Sequence, residues 1–325
     1  MAVYTQLANE EIAALVEQDY GLGRLTLAVG IAQGVENSNY LLEVEATDGV
    51  RSKYILTLYE KRVSAVDIPF FLGLMEHLSA RGIACPLPVA RRDGALWGMV
   101  ANRPSAMVTF LEGKSRTRLE AVHCASMGGT VARLHAGVEG FADTRANTLS
   151  LAGWQGLGDK LRGRLDAIQL GLEALVQEEL QWLATHWPAG LPSGIVHADL
   201  FPDNVFFIDD AVSGVIDFYF ACTDAFAYDL IITMNAWCFE KSGEFNRTKA
   251  ARMLQEYQKQ RALNAAEIKA LPVLARGAAL RFLLTRAHDW IFHEKSALVT
   301  PKDPLEYAGK LRFHQQVRDA AEYGV

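Results

Sequence analysis

The sequence has 325 residues, of which 50% are hydrophobic and 10% aromatic, so it can bury a sizeable core and is long enough for two lobes or domains. Its 38 Asp and Glu outnumber its 32 Lys and Arg, for a formal net charge of −6. This balance gives no electrostatic reason to expect a nucleic-acid partner, and a small-molecule ligand is favoured.

The first third of the chain is predicted to form about five strands together with helices. Asn9 is a suitable N-cap for an amphipathic helix that ends near Gly21. Alternating apolar residues then predict three consecutive strands, which suggests an antiparallel meander. In chain order the predicted segments are strands 25–29, 40–44 and 54–59, a helix over 68–78, strands 87–91 and 95–100, and an extended run 106–111. We place the end of this lobe at residue 112.

The remainder, residues 113–325, is predicted to be a larger and mainly helical lobe. Helical periodicity starts at residue 119, and the pattern beyond Asp229 is helical again. Three short strand patterns lie between these helical regions. The predicted segments are helices 119–135, 153–170 and 172–187, and strands 194–196, 205–208 and 214–218. The expected fold class is therefore α+β, with a small antiparallel sheet in the first lobe.

Cysteine spacing and hydropathy indicate the compartment. The four cysteines are widely spaced and form no Cys-x-x-Cys pair, so we expect buried, reduced thiols and no zinc site. The N-terminus lacks the basic start and apolar core of a secretory signal. The most apolar later stretch, residues 215–239, contains three aspartates, which a membrane span does not readily tolerate. We expect a cytoplasmic protein without a membrane span.

The polar residues of the segment 195–218 carry the strongest chemical signal. Asp199, Asn204 and Asp217 lie at the ends of short apolar strands, and an Asp-Asp turn reverses the chain between the last two. Transfer of a phosphoryl group to a hydroxyl needs an acceptor for the hydroxyl proton and oxygen ligands for Mg²⁺. We predict that Asp199 accepts the proton and that Asn204 and Asp217 bind Mg²⁺. A polar loop that matches by chance is the alternative.

His197 lies two residues before Asp199. It is either a buried histidine that holds the loop by hydrogen bonds or a participant in the chemistry. The first interpretation is favoured, because Asp199 is the better-placed base.

The spacing His-x-Asp-x-x-x-x-Asn, followed by an apolar strand, a turn and Ile-Asp-Phe, resembles the catalytic loop and metal-binding segment of the aminoglycoside phosphotransferase and choline kinase superfamily. Asp229, within a Tyr-Asp-Leu sequence, stands where that superfamily has an Asp that supports the catalytic loop. The resemblance implies a bilobal protein-kinase-like fold with ATP bound between the lobes and Mg²⁺ as the metal. It also implies direct in-line transfer without a covalent phosphoenzyme.

Four segments are more closely similar to the homoserine kinases of this fold, which make O-phosphohomoserine on the way to threonine. These segments are residues 34–40, 54–60, 197–204 and 279–286. L-homoserine is therefore the acceptor implied by resemblance, and not by spacing or composition. A kinase for choline, an aminoglycoside or a sugar is the nearest alternative, because the catalytic loop does not report the acceptor.

Small and polar residues near the first two strands are candidates for holding the nucleotide. Gly30 and Gly34 flank the loop between these strands, and Asn37 and Ser38 follow it. Such a loop could lie over the phosphates, with Asn37 and Ser38 as donors. An ordinary hairpin loop is the alternative.

The third strand departs from the pattern of many kinases of this fold. Where they carry a lysine that contacts the ATP phosphates, this chain has Thr57, with Lys53 and Lys61 four residues to either side. Neither lysine is an obvious substitute, so a non-catalytic nucleotide-binding or scaffold protein is a second class of function. The retained catalytic-type residues favour the enzyme. By resemblance, the backbone from Met107 to Leu111 connects the lobes and hydrogen-bonds adenine.

Two arginines, Arg281 and Arg286, interrupt an apolar helical pattern over residues 280–290, where a charge is costly unless it is paired or exposed. A guanidinium binds a carboxylate in a bidentate way, which suits an amino-acid acceptor. A structural ion pair with Asp289 or another acid is the alternative. A protein kinase is disfavoured, because Ala198 replaces the arginine usual between His and Asp and no Ala-Pro-Glu sequence follows.

Overall fold

The computed structural model describes residues 5–31, 37–60, 63–293 and 301–325. The chain divides into two compact units, Met1–Glu112 and Gly113–Val325.

The first unit is built on a five-stranded antiparallel sheet in the order β1-β2-β3-β5-β4. Its elements are α1 (Asn9–Ala14), a π-helical segment (Leu15–Tyr20), β1 (Arg24–Gly30), β2 (Asn37–Glu45), β3 (Arg51–Tyr59), α2 (Ile68–Ala80), β4 (Trp97–Val100) and β5 (Arg103–Thr109). The predicted meander of three strands and the helix over 68–78 are confirmed. The helix N-terminus is one residue earlier than predicted, because Asn9 is already helical and the N-cap is Ala8.

Period-two alternation explains how this sheet forms a core. Tyr40, Leu42 and Val44 on β2 share one face and are all buried. They cluster with Leu56 and Leu58 of β3 and with apolar residues of α1 and the π-helical segment. Burial of side chains of this size contributes about 1.5–3 kcal/mol each.

The prediction of a strand at 87–91 is wrong. Pro88 makes only an isolated bridge with Val108, because proline has no backbone N–H to donate to a ladder. The segment still runs beside β5, where the Val89 N–H donates to the Met107 carbonyl at 2.9 Å. The fifth strand is instead β5, which the sequence indicated only as an extended run.

The second unit is mainly helical. Its helices are α3 (Ala121–Gly137), α4 (Leu151–Leu161), α5 (Leu172–His186), α6 (Phe226–Trp237), α7 (Arg247–Gln258), α8 (Ala265–Phe292) and α9 (Leu305–Gln316). The predicted helix over 153–170 ends early, at Leu161, because the chain turns through Gly163 with a φ of 73°. The helical pattern beyond Asp229 is confirmed.

Two small antiparallel sheets interrupt these helices. They are formed by β6 (Ser193–Val196) with β9 (Cys222–Ala225), and by β7 (Val205–Ile208) with β8 (Ala211–Val215). The predicted strand over 214–218 is shifted, because Asp217 adopts a left-handed conformation and a 3₁₀ turn follows it. The sequence did not indicate β9.

The prediction of buried, free cysteines agrees with the structure. All four cysteines are buried and free. None of the helices within the described ranges is long and apolar enough to cross a membrane.

Candidate active site

The loop between β6 and β7 brings two of the predicted catalytic residues into direct contact. It contains Asp199 and a 3₁₀ turn, Pro202–Asn204. The Asn204 side-chain Nδ2 donates to the Asp199 backbone carbonyl at 2.9 Å and to its carboxylate Oδ2 at 3.1 Å. These bonds fix the orientation of the Asp199 carboxylate relative to its own backbone.

The β7–β8 hairpin then returns the chain to this loop. Its turn is possible because Asp209 adopts a φ of 50°, a conformation that Asp tolerates better than most residues. At the end of β8 the Ile216 N–H donates to the Asn204 carbonyl at 3.0 Å. Asp217 is the next residue, so the hairpin places it beside Asn204.

The donor set suits a magnesium ion in part. Because the Asn204 amide nitrogen is used by Asp199, its side-chain oxygen is the group it can offer to a cation, and Asp217 offers a carboxylate. In the part of the chain that the structure describes, no three His, Cys, Asp or Glu form a ready metal cluster. Mg²⁺ commonly takes one or two protein ligands and completes its shell with water and phosphate oxygens.

His197 holds the loop and is neutral. Its Nε2 donates to the Ile216 carbonyl at 3.0 Å, and its Nδ1 accepts from the Asp199 N–H at 3.3 Å. Burial lowers the pKa of His197, and only part of this shift is opposed by the nearby Asp229 charge. The geometry therefore fits the prediction of a buried, loop-holding histidine.

Asp229, at the start of α6, anchors the backbone before Asp199. It is fully buried and accepts hydrogen bonds from the Ala198 N–H at 2.7 Å and the His197 N–H at 3.3 Å. Ala198 has a φ of 62°, which costs a non-glycine residue about 1–2 kcal/mol. The two bonds to Asp229 hold the backbone in this strained conformation.

A histidine that the sequence did not assign completes this anchor. His135 of α3 donates from Nε2 to the Asp229 carboxylate at 2.9 Å, and the Tyr257 hydroxyl donates to its Nδ1 at 2.8 Å. Burial alone would raise the pKa of Asp229, but the hydrogen bonds that its carboxylate accepts, chiefly the one from His135, hold the pKa below its usual value. A histidine on the buried face of an apolar helix was the available sequence signal, because a buried polar group needs a partner.

In the first unit, Asn37 and Ser38 lie in β2 and not in a loop, and both are buried. The Ser38 hydroxyl donates to Glu60 Oε1 at 2.6 Å, and the Asn37 side-chain oxygen accepts from the Glu60 N–H at 3.4 Å. The Glu60 carboxylate also pairs with Arg103 at 3.1 Å. Both predicted phosphate donors therefore belong to a network around Glu60.

Thr57 is buried in β3, directly opposite Asn39 of β2. Its hydroxyl donates to the Asn39 side-chain oxygen at 2.8 Å. Lys53 lies on the same strand, 3.7 Å from Glu43, and Lys61 is outside the described residues. The polar side chain at the position of the usual lysine is thus tied to the neighbouring strand.

The remaining nucleotide candidates that the structure describes lie in β1 and in or just after β5. Gly30 is the last residue of β1 and pairs with Tyr40, while Gly34 lies outside the described residues. Met107 is buried in β5, and Leu111 follows the end of that strand. The sheet uses the Met107 carbonyl, so the adenine contact expected of this strip would come from backbone further along.

The two arginines of α8 have different environments. Arg286 pairs with Glu306 at 2.6 Å and donates to the Asp303 carbonyl at 3.1 Å. Arg281 is 1% exposed and has no acidic partner among the residues that the structure describes. For Arg286 the structure therefore shows the alternative interpretation, a structural ion pair with an acid.

A cavity of about 440 Å³ opens beside the catalytic loop. The loop contributes Phe201, Pro202 and Asp203 to its wall, and the opposite side includes Arg286 and Lys302. Both cations are already paired, with Glu306 and Asp203 respectively. The cavity is large enough for an acceptor the size of an amino acid.

Comparison with known proteins agrees with this architecture. Residues 28–263 match the sequence profile of the phosphotransferase enzyme family. A homoserine kinase from Rhizobium etli is 54% identical over 325 residues, covering 100% of this chain and 99% of that protein.

Two solved structures show the same fold. An amicoumacin kinase in complex with AMP-PNP and Ca²⁺ superposes with a TM-score of 0.69 at 17% identity, covering 95% of this chain and 93% of its own. A choline kinase from Cryptosporidium parvum gives a TM-score of 0.62 at 16% identity, covering 89% and 88%. The predicted α+β, protein-kinase-like fold class is confirmed.

Proposed function

The chain belongs to the phosphotransferase enzyme family, and from that premise we propose that it transfers the γ-phosphoryl group of ATP to the hydroxyl of L-homoserine. The identity of 54% to a homoserine kinase over the whole chain is the observation that carries this proposal. The product would be O-phospho-L-homoserine, an intermediate on the way to threonine. The cytoplasmic location stays a prediction.

Asp199 is the proposed acceptor of the hydroxyl proton. Asn204 fixes its carboxylate through the bond at 3.1 Å, and Asp229 fixes the backbone that precedes it. A base held in this way can orient the acceptor oxygen for in-line attack on the γ-phosphorus, while the bond from that phosphorus to the bridging oxygen of ADP breaks. The proton passes to Asp199 as the new bond forms.

Asn204 and Asp217 are the proposed ligands for Mg²⁺. The ion would neutralise the charge of the phosphates. An amide oxygen and a carboxylate are hard oxygen donors of the kind that Mg²⁺ prefers. A fold neighbour that binds AMP-PNP and Ca²⁺ supports a nucleotide and a divalent cation as the ligands.

The proposed nucleotide site is formed by Gly30, Gly34, Asn37, Ser38 and Thr57. The backbone between Met107 and Leu111 is proposed to bind adenine. Because the side chains of Ser38 and Thr57 are engaged within the sheet, we expect them to act by holding neighbouring backbone and side chains in place.

A choline, aminoglycoside or sugar kinase is the nearest rival, and a non-catalytic scaffold is the rival from another class. The acceptors differ in chemistry: choline requires an aromatic cage and aminoglycosides require several acids, whereas an amino acid requires a cation for its carboxylate. The unpaired Arg281 favours the amino acid.

The test is Mg²⁺-dependent release of ADP from ATP with homoserine, choline, an aminoglycoside and a sugar as separate acceptors. We expect strong release with homoserine and loss of that release in Asp199→Asn. Asp209→Asn is the matched control, because Asp209 is exposed and asparagine accepts its left-handed backbone.

Release with another acceptor alone would retain the kinase and reject homoserine. If no ADP were released with any of the four acceptors, and millimolar ATP and Mg²⁺ gave no thermal stabilisation, the non-catalytic scaffold would be favoured.

A further inference from the structure

Arg281 is a buried cation that forms no ion pair with any residue that the structure describes. It is 1% exposed, and its Nε and Nη1 atoms have no hydrogen-bond partner among the described residues. An unpaired charge inside a protein is strongly disfavoured, so such groups are normally paired or ligated. Arginine cannot escape this cost by losing its proton.

The other two arginines on this part of α8 show what normal pairing looks like. Arg276 makes two bonds to Glu179, at 2.7 and 2.6 Å. Arg286 pairs with Glu306 at 2.6 Å. Arg281 lies between them in sequence and differs from both, so its missing partner is a local feature and not a general property of the helix.

Aromatic rings hold the Arg281 side chain in place. Its guanidinium carbon lies 4.7 Å from the centre of the Phe282 ring and 5.7 Å from that of Phe220. Such contacts stabilise a cation by about 0.5–2 kcal/mol. They do not supply the hydrogen-bond acceptors that Nε and Nη1 require.

Arg281 lies close to residues 195–218, which we call the catalytic segment. Phe220 is three residues after Asp217, and the ring of Phe282 lies 4.9 Å from that of Phe201 in the catalytic loop. Burial raises the pKa of Tyr228, the residue before Asp229, and the charge of Arg281 is the strongest effect that opposes this rise. A side-chain hydrogen bond with Arg281 also lowers the pKa of Tyr228.

We infer that Arg281 binds the carboxylate of the acceptor and thereby selects amino acids over simple amino alcohols. This inference rests on the proposed function and names the side chain that would recognise the carboxylate of the substrate. A guanidinium fork and a carboxylate match in geometry and charge, and the ligand would supply the acceptors that the protein does not. Phe220, one of the two rings beside the guanidinium, is half-buried, and the inference requires side-chain movement when the ligand binds.

The cavity beside the catalytic loop offers the main competing interpretation, in which Arg286 binds the carboxylate. That side chain is already neutralised by Glu306 at 2.6 Å. A ligand carboxylate there would have to displace Glu306 or share the cation with it. Arg281 requires no such exchange.

The experiment compares two acceptors in four proteins. Homoserine and 3-aminopropan-1-ol share the hydroxyl, the carbon chain and the amine, and only homoserine has a carboxylate. Values of kcat/KM for both are measured in the wild type, Arg281→Lys and Arg286→Lys, with thermal unfolding and ATP affinity as checks on folding. Arg281→Met is a second variant that removes the charge.

In the wild type we expect homoserine to be preferred over 3-aminopropan-1-ol by about 100-fold or more, because a buried guanidinium would be left unpaired by the amino alcohol. Arg281→Lys should lower that preference by about tenfold or more, mainly through the KM for homoserine, and Arg281→Met should abolish it. Arg286→Lys should leave the preference within about threefold of the wild-type value.

An equal loss for both acceptors in folded Arg281→Lys would overturn the inference, since a purely structural arginine affects both alike. Loss of preference in Arg286→Lys, with Arg281→Lys unchanged, would assign the carboxylate to the cavity instead. If the wild type turned over neither acceptor but phosphorylated another, the proposed function itself would fail, and this outcome is separable from the other two.

Discussion

The polar residues of the catalytic segment and those of the first-unit sheet have similar types but different partners. In the catalytic segment, Asn204 donates to the Asp199 carboxylate within one short loop. In the sheet, the hydroxyls of Ser38 and Thr57 donate across strands to Glu60 and Asn39. The first arrangement orients the carboxylate that we propose as the base, whereas the second connects neighbouring strands.

The identity of a polar residue therefore does not by itself decide whether the residue acts on a ligand. Buried polar groups are almost always hydrogen-bonded. A carboxylate that is oriented by one hydrogen bond can still accept a further bond from a ligand. A hydroxyl that already donates its single proton within the protein cannot donate it to a ligand. Substitutions in both regions can test this contrast.

The largest effect is expected for Asp199→Asn. Removal of a positioned general base typically lowers kcat by about 10²–10⁴-fold, and we expect a loss of about 10³-fold or more with an unchanged Kd for ATP. Steady-state kinetics and calorimetric titration with ATP and Mg²⁺ provide the measurements, with Asp209→Asn as the control. Retention of more than a tenth of the wild-type kcat would remove Asp199 from this role.

Asp229→Asn tests the anchor beneath the catalytic segment. Asparagine can accept fewer hydrogen bonds than a carboxylate, and the donors from His135, His197 and Ala198 would lose their shared anion. We expect the free energy of unfolding to fall by about 3 kcal/mol and kcat to fall by about 10²-fold.

Urea unfolding and initial rates measure these changes. The exposed pair of Asp159 with Arg162 gives the control, because Asp159→Asn should cost less than about 1 kcal/mol. A kcat for Asp229→Asn equal to that of the wild type would show that the loop keeps its conformation without this carboxylate.

Stability should also depend on pH through His314. Burial lowers the pKa of His314 to about 3, assisted by the positive charges of Lys310 and Arg276. The unfolded chain therefore binds a proton below about pH 6.5 that the folded chain does not, so stability falls as pH decreases, by about 1.4 kcal/mol per pH unit.

Unfolding free energies at pH 7.5, 6.5 and 5.5 measure this dependence. The slope between the two lower pH values should be smaller in His314→Gln by about 1 kcal/mol per pH unit, because His314 in the unfolded chain is only half protonated at pH 6.5. Equal slopes in the two proteins would mean that His314 is protonated in the folded state.

Thr57→Val tests whether the Thr57 hydroxyl in the sheet has a structural role or contacts the nucleotide. The substitution removes the hydroxyl that donates to Asn39 and retains the volume of the side chain. We expect a loss of about 1 kcal/mol of stability and, by the same reasoning, a KM for ATP within about fivefold of the wild-type value. A much larger rise in this KM at unchanged stability would indicate direct contact with the nucleotide.

The smallest effect is expected for Ala198→Gly. Glycine adopts the observed φ of 62° without steric cost but loses more entropy on folding. These effects oppose each other, so we expect a change in stability below about 1 kcal/mol and nearly full activity. A large loss of activity would show that the Ala198 methyl group has a role that its backbone geometry does not explain.

The sequence by itself determined the local features of this protein. Alternation of apolar residues predicted β1 to β3, and the Asp-Asp turn predicted the return of the chain after β7. The contact of Asn204 with Asp199 joins residues five positions apart in one loop. Such features depend on neighbouring residues, so a linear pattern contains them. The similar segments then indicated the family.

Only the tertiary structure decided which distant residues meet. The pairing of β9 with β6 and the bond of His135 to Asp229, 94 residues away, leave no periodic signal in the sequence. Arg281 and Arg286 of α8 are alike in sequence, yet within the described parts of the chain Arg286 has an acidic partner and Arg281 does not. The availability of a charge depends on which groups the packed helices bring to it, and long-range packing sets that environment.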